Sequence, residues 1–176
     1  MPSIKPSADV RMMVDKQLLN VVQQRIDART ALRSIDVLAG AATAHIERKM
    51  YYPYYSFTAN CSVPTLFGKK EMTVNCLVDG VSGLGATAGA FSIEPETVSA
   101  DDLLRLDVSA QEAERAARRT VSHQLSRKLR MIASFHMNIE RQSIVYKGFW
   151  IIRSQDILVM VDASSGCIHP LNSRAA

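Results

Sequence analysis

Residues 77–83 read LVDGVSG and residues 160–166 read MVDASSG: an apolar residue, Val, Asp, a small residue, any residue, Ser and Gly, written twice. Each part of that string suits the end of a β-strand. Val belongs in the strand, the Asp side chain can accept hydrogen bonds from backbone N–H groups two residues on, and Gly supplies the positive φ that closes a turn. The chain must therefore stop one strand at Asp79 and another at Asp162, and the recurrence predicts a duplicated structural unit. Catalysis or metal ligation by the two aspartates would need acidic or His partners at ligand spacing, and neither has one nearby in the sequence.

A chain of 176 residues, 47% hydrophobic and 22% charged, holds enough apolar material for one good core or two small units sharing one. The longest apolar run, around Ile144–Ile152, is interrupted by Lys147 and Gly148, so nothing approaches the roughly 20 residues that cross a bilayer as a helix. The opening MPSIKPSADV lacks the apolar segment of a secretory signal, which makes a cytoplasmic location the expectation. Three cysteines, Cys61, Cys76 and Cys167, are too few and too odd in number for a disulfide scaffold. A net charge of +4, from 21 Lys and Arg against 17 Asp and Glu, does not imply nucleic acid without local clustering.

From Ser7 to about Met50, apolar residues recur at Val10, Met13, Val14, Val21, Ile26, Ile35, Leu38, Ala42 and Ile46, a helical spacing that predicts one long helix or two abutting ones. Ser7 or Asp9 is the expected cap, and a break is expected near Asp27 or Gly40. The following segment, YYPYYSFTANCSVPTLFGKKEMTVNCLVDGVSG, is rich in aromatic, Val and Thr residues around a central Gly-Lys pair and reads as a β-hairpin. A two-residue turn at Gly68 and Lys69 would set Val63 opposite Val74 and Cys61 opposite Cys76, and would push the strand holding Pro64 to a sheet edge. Residues 84–108 read as an irregular connection with one short helix after Ser99. Ser109 and Glu112 then match a capping box that opens a helix from Ala110 to about Arg130, with Ala113, Ala117, Val121, Leu125 and Leu129 on one face. Phe135, Met137 and Ile139 alternate with polar residues, and VYKGFWIIRS and DILVMVDASSG form a second hairpin turning near Ser154–Asp156.

The recurrence extends upstream of the turns. YYPYYSF at 51–57 can be laid on YKGFWII at 146–152, matching Pro53 with Gly148, Tyr54 with Phe149 and Tyr55 with Trp150. The helix opening SAQEAERAA, followed by strands and the ending VDASSG, resembles the PepSY-type module over Ser109–Ile168, with Ser165 where that family's turn carries Thr; the first half shares only Leu77–Gly83. The resemblance implies a helix packed on a small antiparallel sheet, in a non-catalytic binding or regulatory module with no catalytic residues to carry over.

The chain has no P-loop, no G-x-G-x-x-G leading into a helix, no C-x-x-C and no H-E-x-x-H. Cys61 and Cys76, as direct cross-strand neighbours with Cα atoms roughly 4.5–5.5 Å apart, could form a redox pair or part of a soft metal site, or serve as small core residues. His123 and His136 are candidate bases for a cysteine nucleophile, while His45 and His169 fall at element ends. Tyr51, Tyr52, Tyr54, Tyr55, Phe149 and Trp150 fall at equivalent places in the two hairpins, and alternation sends half of these rings outward; they could line an apolar site, with Tyr54, Tyr55, Phe149 and Trp150 as its surface, or form a shared core or dimer seam. Arg115, Arg118 and Arg119 share a helix face with Ser122 and Ser126; such a stripe could meet phosphates, but no aromatic residues interleave it for base stacking.

The sequence thus predicts an α+β chain of two related helix-plus-antiparallel-sheet units forming one compact domain: residues 1–83 as a helical segment plus hairpin, 84–108 as a connection, and 109–176 as the second unit. The expected function is non-catalytic binding of a peptide or small apolar ligand at Tyr54, Tyr55, Phe149 and Trp150, without cofactor or metal. A homodimer is expected to cover the sheet edges that Pro64 and the long hairpin expose. The alternatives are a cofactor-free enzyme using Cys61, Cys76, His123 or His136, and nucleic-acid binding along the arginine helix, which the charge pattern does not favour.

Overall fold

Two long strands form the spine of the protein. The computed structural model describes residues 15–39, 44–65, 67–129, 135–154 and 157–171. In chain order the elements are β1 (Lys16–Val22), α1 (Ala28–Ala39), β2 (His45–Thr65), β3 (Gly68–Asp79), β4 (Gly85–Ala88), β5 (Ile93–Ser99), a 3-10 turn at Ala100–Asp102, α2 (Ala110–Leu129), β6 (His136–Ser154), β7 (Ile157–Asp162) and β8 (Ile168–Leu171). β2 spans 21 residues and β6 spans 19. They run antiparallel from His45 opposite Arg153 to Ser62 opposite His136, with register shifts at Ile46/Arg48 and Ser56/Phe57. Strands this long exceed the usual length for one sheet edge, and their outer edges are shared among shorter partners. β3 and then β4 add beside the second half of β2, whereas β7 and β8 add beside the second half of β6. β1 joins β6 in parallel at Val21–Tyr146 and carries β5 on its other side.

This arrangement overturns the expected α+β fold of two related helix-plus-sheet units with an internal repeat. Among the described residues, eight strands belong to one mixed sheet that dominates the structure, and two α-helices lie on it. The reason is the reach of β2 and β6, which pair with each other along nearly their whole lengths and so join the strands of both halves in one sheet. The connection 84–108 is likewise not irregular: it supplies β4 and β5, and β5 pairs with β1 from Lys16–Ser99 to Val22–Ile93. The short helix expected after Ser99 is the 3-10 turn.

The predicted helical stretch from Ser7 to Met50 is also corrected. Leu18, Leu19, Val21 and Val22 fit helical spacing, but that segment forms β1, in which Val21 is buried and Leu18 is exposed. Among the described residues of that stretch, the helical part is Ala28–Ala39, capped where Asp27 Oδ1 accepts the Thr30 N–H at 2.7 Å. The expected cap at Ser7 or Asp9, together with Val10, Met13, Val14, Gly40, Ala42 and Arg130, lies outside the described residues, as do the side chains of Leu38 and Leu129. α2 begins at its capping box: Ser109 N–H donates to Glu112 Oε2 at 3.0 Å and Glu112 N–H to Ser109 Oγ at 3.3 Å.

The first hairpin turns two residues earlier than its Gly-Lys pair suggested. Thr65 pairs with Gly68, so Val63 faces Lys70, Cys61 faces Met72 and Cys76 faces Phe57. Gly68 takes φ +130° as the first residue of β3 rather than as a turn centre. Nor does Pro64 put β2 at an edge. β2 is interior to the sheet, and Pro64 lies just beyond its last pair with β6, where a missing N–H removes nothing from that ladder.

Alternation along the spine decides what faces what. Tyr55 pairs with Ile144, and Ile144, Tyr146, Gly148 and Trp150 then share its face of the sheet. α2 packs Ala113, Ala117, Val121 and Leu125 onto Tyr55, Phe57, Ala59, Cys61, Cys76 and Val78. α1 packs Ala31 and Ile35 onto Ile152, Val159 and Val161, with Trp150 alongside. Both helices therefore cover one face, and among the described residues no helix covers the other.

The two V-D-x-x-S-G strings end their strands as expected. Asp79 Oδ1 accepts the N–H groups of Val81 and Ser82, both at 2.8 Å, and Asp162 Oδ1 accepts that of Ser164 at 2.8 Å. Gly83 and Gly166 have φ of +75° and +77°. The residue after each aspartate does more. Gly80 N–H donates to the Pro53 carbonyl, and its own carbonyl accepts the N–H groups of Asp107 and Val108 at 2.9 and 3.0 Å. Ala163 N–H likewise donates to the Gly148 carbonyl, and its carbonyl accepts those of Arg25 and Ile26 at 2.8 and 2.9 Å. Each turn thus fastens the segment that leads into a helix. A ring then fixes that segment from below, with Tyr55 OH donating to the Val108 carbonyl at 2.8 Å and Trp150 Nε1–H to the Ile26 carbonyl at 2.9 Å.

Two isoleucines separate burial from composition. Ile152 is fully buried under α1, whereas Ile157 is 57% exposed. Ile152→Ala is expected to lower unfolding free energy by about 2–5 kcal/mol, and Ile157→Ala by no more than about 0.5 kcal/mol, measured by urea denaturation. Equal effects would place the core elsewhere.

Candidate functional site

On the helix-free face, β2 presents Tyr52 and Tyr54, β6 presents Lys147 and Phe149, and the turn-forming Asp79 and Asp162 stand directly opposite Tyr54 and Phe149. Tyr52 joins the group, with ring centroids 5.4 Å from Tyr54 and 6.3 Å edge-on from Phe149. Tyr52 OH donates to Asp79 Oδ2 at 3.2 Å. Lys147 Nζ donates to Asp162 Oδ2 at 2.5 Å and lies 5.6 Å from the Phe149 ring centroid.

Burial alone would raise the Asp162 carboxyl, but the bonds from Lys147 and from Ser164 outweigh it and hold the group down at about 2. Asp79 is lowered in the same balance, burial opposing the N–H groups of Ser82 and Val81 and the hydroxyl of Tyr52. Tyr54 moves the other way. Burial, then the charges of Asp79 and Asp162, push its phenol up to about 12, so it stays a neutral hydrogen-bonding group.

Beside this cluster lies a recess of about 330 Å³, lined by Tyr54, Leu77, Leu84 and the whole of β4, with Asp79 and Lys147 contributing charge. That volume is at the lower end of small-ligand sites. Leu77, Ala86 and Ala88 face into it by the alternation of β3 and β4. The small side chains of β4 leave the space open. A larger recess of about 420 Å³ lies at the start of α2 between Ser82, Asp107, Glu112, Arg115 and Arg119. Its acids and arginines offset one another, and Glu112 is already held in the capping box, so it offers less for an apolar or extended ligand.

The rings singled out from the sequence part company at the sheet. Tyr54 and Phe149 lie on the open face, Phe149 buried at 5% exposure and Tyr54 half-buried beside the recess. Tyr55 and Trp150 lie on the opposite face beneath the helices, where their polar atoms hold the helix-leading segments. Tyr52, one of the aromatic group read from the sequence, completes the open-face rings, and Lys147 and Leu77 join them without having been singled out beforehand. Period-two alternation was the signal, since it puts Tyr52 with Tyr54 and Lys147 with Phe149.

Cys61 and Cys76 are buried free thiols in the core under α2, and the observed register separates them, so the expected cross-strand pair does not form. Burial raises both thiols, Cys76 to about 11. His123 is exposed on α2, and His136 is exposed opposite Ser62, on the other face of the sheet from Cys61. No thiol meets an imidazole among the candidates. Among the described residues no group of three or more His, Cys, Asp or Glu is placed to hold a metal ion, and no helix is long and apolar enough to cross a membrane. Arg115, Arg118 and Arg119 are exposed, with Arg118 paired to Glu114 at 3.0 Å.

No protein-family model, curated protein or solved structure matches the chain. The other ordered polar group, on the helix-bearing face, is structural. There Glu96 accepts from Gln24, Lys49 and Tyr51 at 2.6, 3.0 and 2.6 Å, and the Lys49 ammonium lies 4.9 and 5.0 Å from the Tyr51 and Trp150 ring centroids. It ties β5 to the spine.

Because the Asp162 carboxyl is lowered on folding, its contribution is fully present above its ordinary value of 3.8 and is lost as pH falls toward about 2. With the side chain 6% exposed, that contribution is about 2 kcal/mol. Asp162→Asn is expected to remove at least that much stability at pH 7 and to flatten the acid limb between about pH 4 and about pH 2, read from urea midpoints across pH. An unchanged acid limb would show that the pair with Lys147 does not form.

Proposed function

We propose that the protein is a non-catalytic binding module that holds a peptide or a small apolar ligand on the helix-free face. The observation that carries this reading is the recess between Tyr54, Leu77 and β4, an apolar surface with a neutral phenol and fixed charges at hand. The resemblance of Ser109–Ile168 to the PepSY-type module supports the same reading, since that module is non-catalytic. A cofactor-free enzyme built on a thiol and an imidazole lacks the convergence it would need. The arginine stripe of α2 is interleaved with Glu112 and Glu114, which weakens it as a phosphate-binding surface. We place the protein in the cytoplasm, on the support of three free cysteines, one of them exposed.

The test is a titration of the isotope-labelled protein with N-acetyl-phenylalaninamide, followed by NMR. Resonances of Tyr54, Leu77 and Ala86 are expected to shift. Ala86→Phe, a change at an exposed position that fills the recess, is expected to weaken binding by roughly tenfold or more. Shifts that survive Ala86→Phe, or that fall elsewhere on the surface, would remove the recess as the site.

A further inference from the structure

β4 differs from the other terminal strands in carrying nothing that keeps a further strand away. Among the described residues the sheet ends in β4, β5 and β8. β5 presents the exposed Glu94 and Pro95, and β8 presents Pro170; these withhold donors or place charge where a new strand would lie. The stretch of β3 that runs past β4 carries Lys69, Lys70 and Glu71. β4 itself reads Gly-Ala-Thr-Ala, with no charge, no proline and an unbroken register against β3.

Its hydrogen-bonding phase is fixed by a neighbouring bond. Asp79 N–H donates to the Leu84 carbonyl at 2.9 Å. Antiparallel alternation then turns the backbone groups of Ala86 and Ala88 toward β3 and those of Gly85 and Thr87 outward. On the open face the same strand offers only methyl groups, and beyond them lies the recess with Leu77 and Tyr54. Leu84, 74% exposed, stands beside it.

We propose that β4 accepts an extended peptide segment of a partner protein as an added strand, with one large apolar side chain of Leu, Met or Phe size laid across Ala86 and Ala88 into the recess. This rests on the binding reading above and specifies its ligand. Main-chain bonds to Gly85 and Thr87 supply sequence-independent affinity and the recess supplies selectivity, the division of labour of strand addition. A second copy of this chain fits less well. Two β4 strands paired across a two-fold axis would bring only Gly, Ala and Thr to the recess and leave it empty. A seam of four residues per subunit also buries far less than the roughly 1,200 Å² of a stable interface.

The test uses acetylated, amidated pentapeptides Thr-Thr-Xaa-Thr-Thr, with Xaa as Ala, Leu, Met or Phe, titrated into the labelled protein. Two further versions of the tightest peptide are N-methylated at alternate residues. The best of the Leu, Met and Phe peptides is expected to bind roughly tenfold or more tighter than the Ala peptide, with the amides of Gly85 and Thr87 shifting most. One N-methylated version, and not the other, is expected to lose roughly tenfold in affinity. Thr87→Pro, which removes an outward N–H and no bond to β3, is expected to weaken binding similarly; if that variant does not fold, the methylated peptides carry the comparison.

Equal binding by both methylated versions would overturn strand addition and leave the recess as the site. Binding of N-acetyl-phenylalaninamide without any peptide would do the same. A dimer in sedimentation that Thr87→Pro dissolves would overturn the peptide as occupant in favour of a second copy. Failure of every probe to shift the recess would overturn both readings.

Discussion

The carboxylates of Asp79 and Asp162 organise the molecule. Each gathers the N–H groups of its own turn, which fixes the next residue, and the carbonyl of that next residue holds the two N–H groups just before a helix. The helices themselves have modest claims on their positions. α1 is 12 residues long, too short to be stable by propensity alone, and α2 opposes the sheet largely through alanines. What places both of them is a short chain of hydrogen bonds running from strand end to helix start. The buried Asp162 carboxylate has to be compensated, and the Lys147 ammonium does so, while the half-buried Asp79 takes the Tyr52 phenol.

That compensation sits on the opposite face of the sheet from the helices. One consequence is a division of the aromatic residues by alternation alone. Tyr55 and Trp150 spend their polar atoms on the helix-leading segments, while Tyr52, Tyr54 and Phe149 gather over the aspartates on the open face. The open face is thereby stiffened at its centre and left unfilled at its margin, where β4 contributes methyl groups and backbone. A rigid wall beside a strand of small residues is the geometry in which a ligand gains contact without having to displace the protein's own packing.

Several features were legible in the sequence because they depend on residues close together in the chain. The two Asp turns with their positive-φ glycines, the capping box at Ser109 and Glu112, and the helix that follows it are all settled within a few residues. The Pro53 and Gly148 carbonyls, matched in the sequence, each receive a turn's N–H, but the repeat in which they were matched is not the fold. The failures have a common cause. Leu18, Leu19, Val21 and Val22 satisfy either a helical or a strand period, and β5 and β6, far along the chain, supplied the partners that made them a strand. The Gly-Lys pair promised a turn that the register with β2 moved to the preceding residues. Tyr54, Tyr55, Phe149 and Trp150 were grouped by their equivalent places in the two hairpins, whereas a pleated strand sends Tyr54 and Tyr55, and Phe149 and Trp150, to opposite faces.

The sequence by itself determined where β3 and β7 stop and where α2 starts. Each of those is a local bond between a side chain and a backbone group at most three residues away. Only the tertiary structure decided that β2 and β6 would pair along nearly their whole lengths, merge the strands into one sheet, bury Cys61 and Cys76 apart, and bring Tyr54, Leu77, Lys147 and β4 around one recess. Pairing between strands this distant in the chain is chosen by which faces can be buried together, a property of the whole sheet that no short window of residues contains.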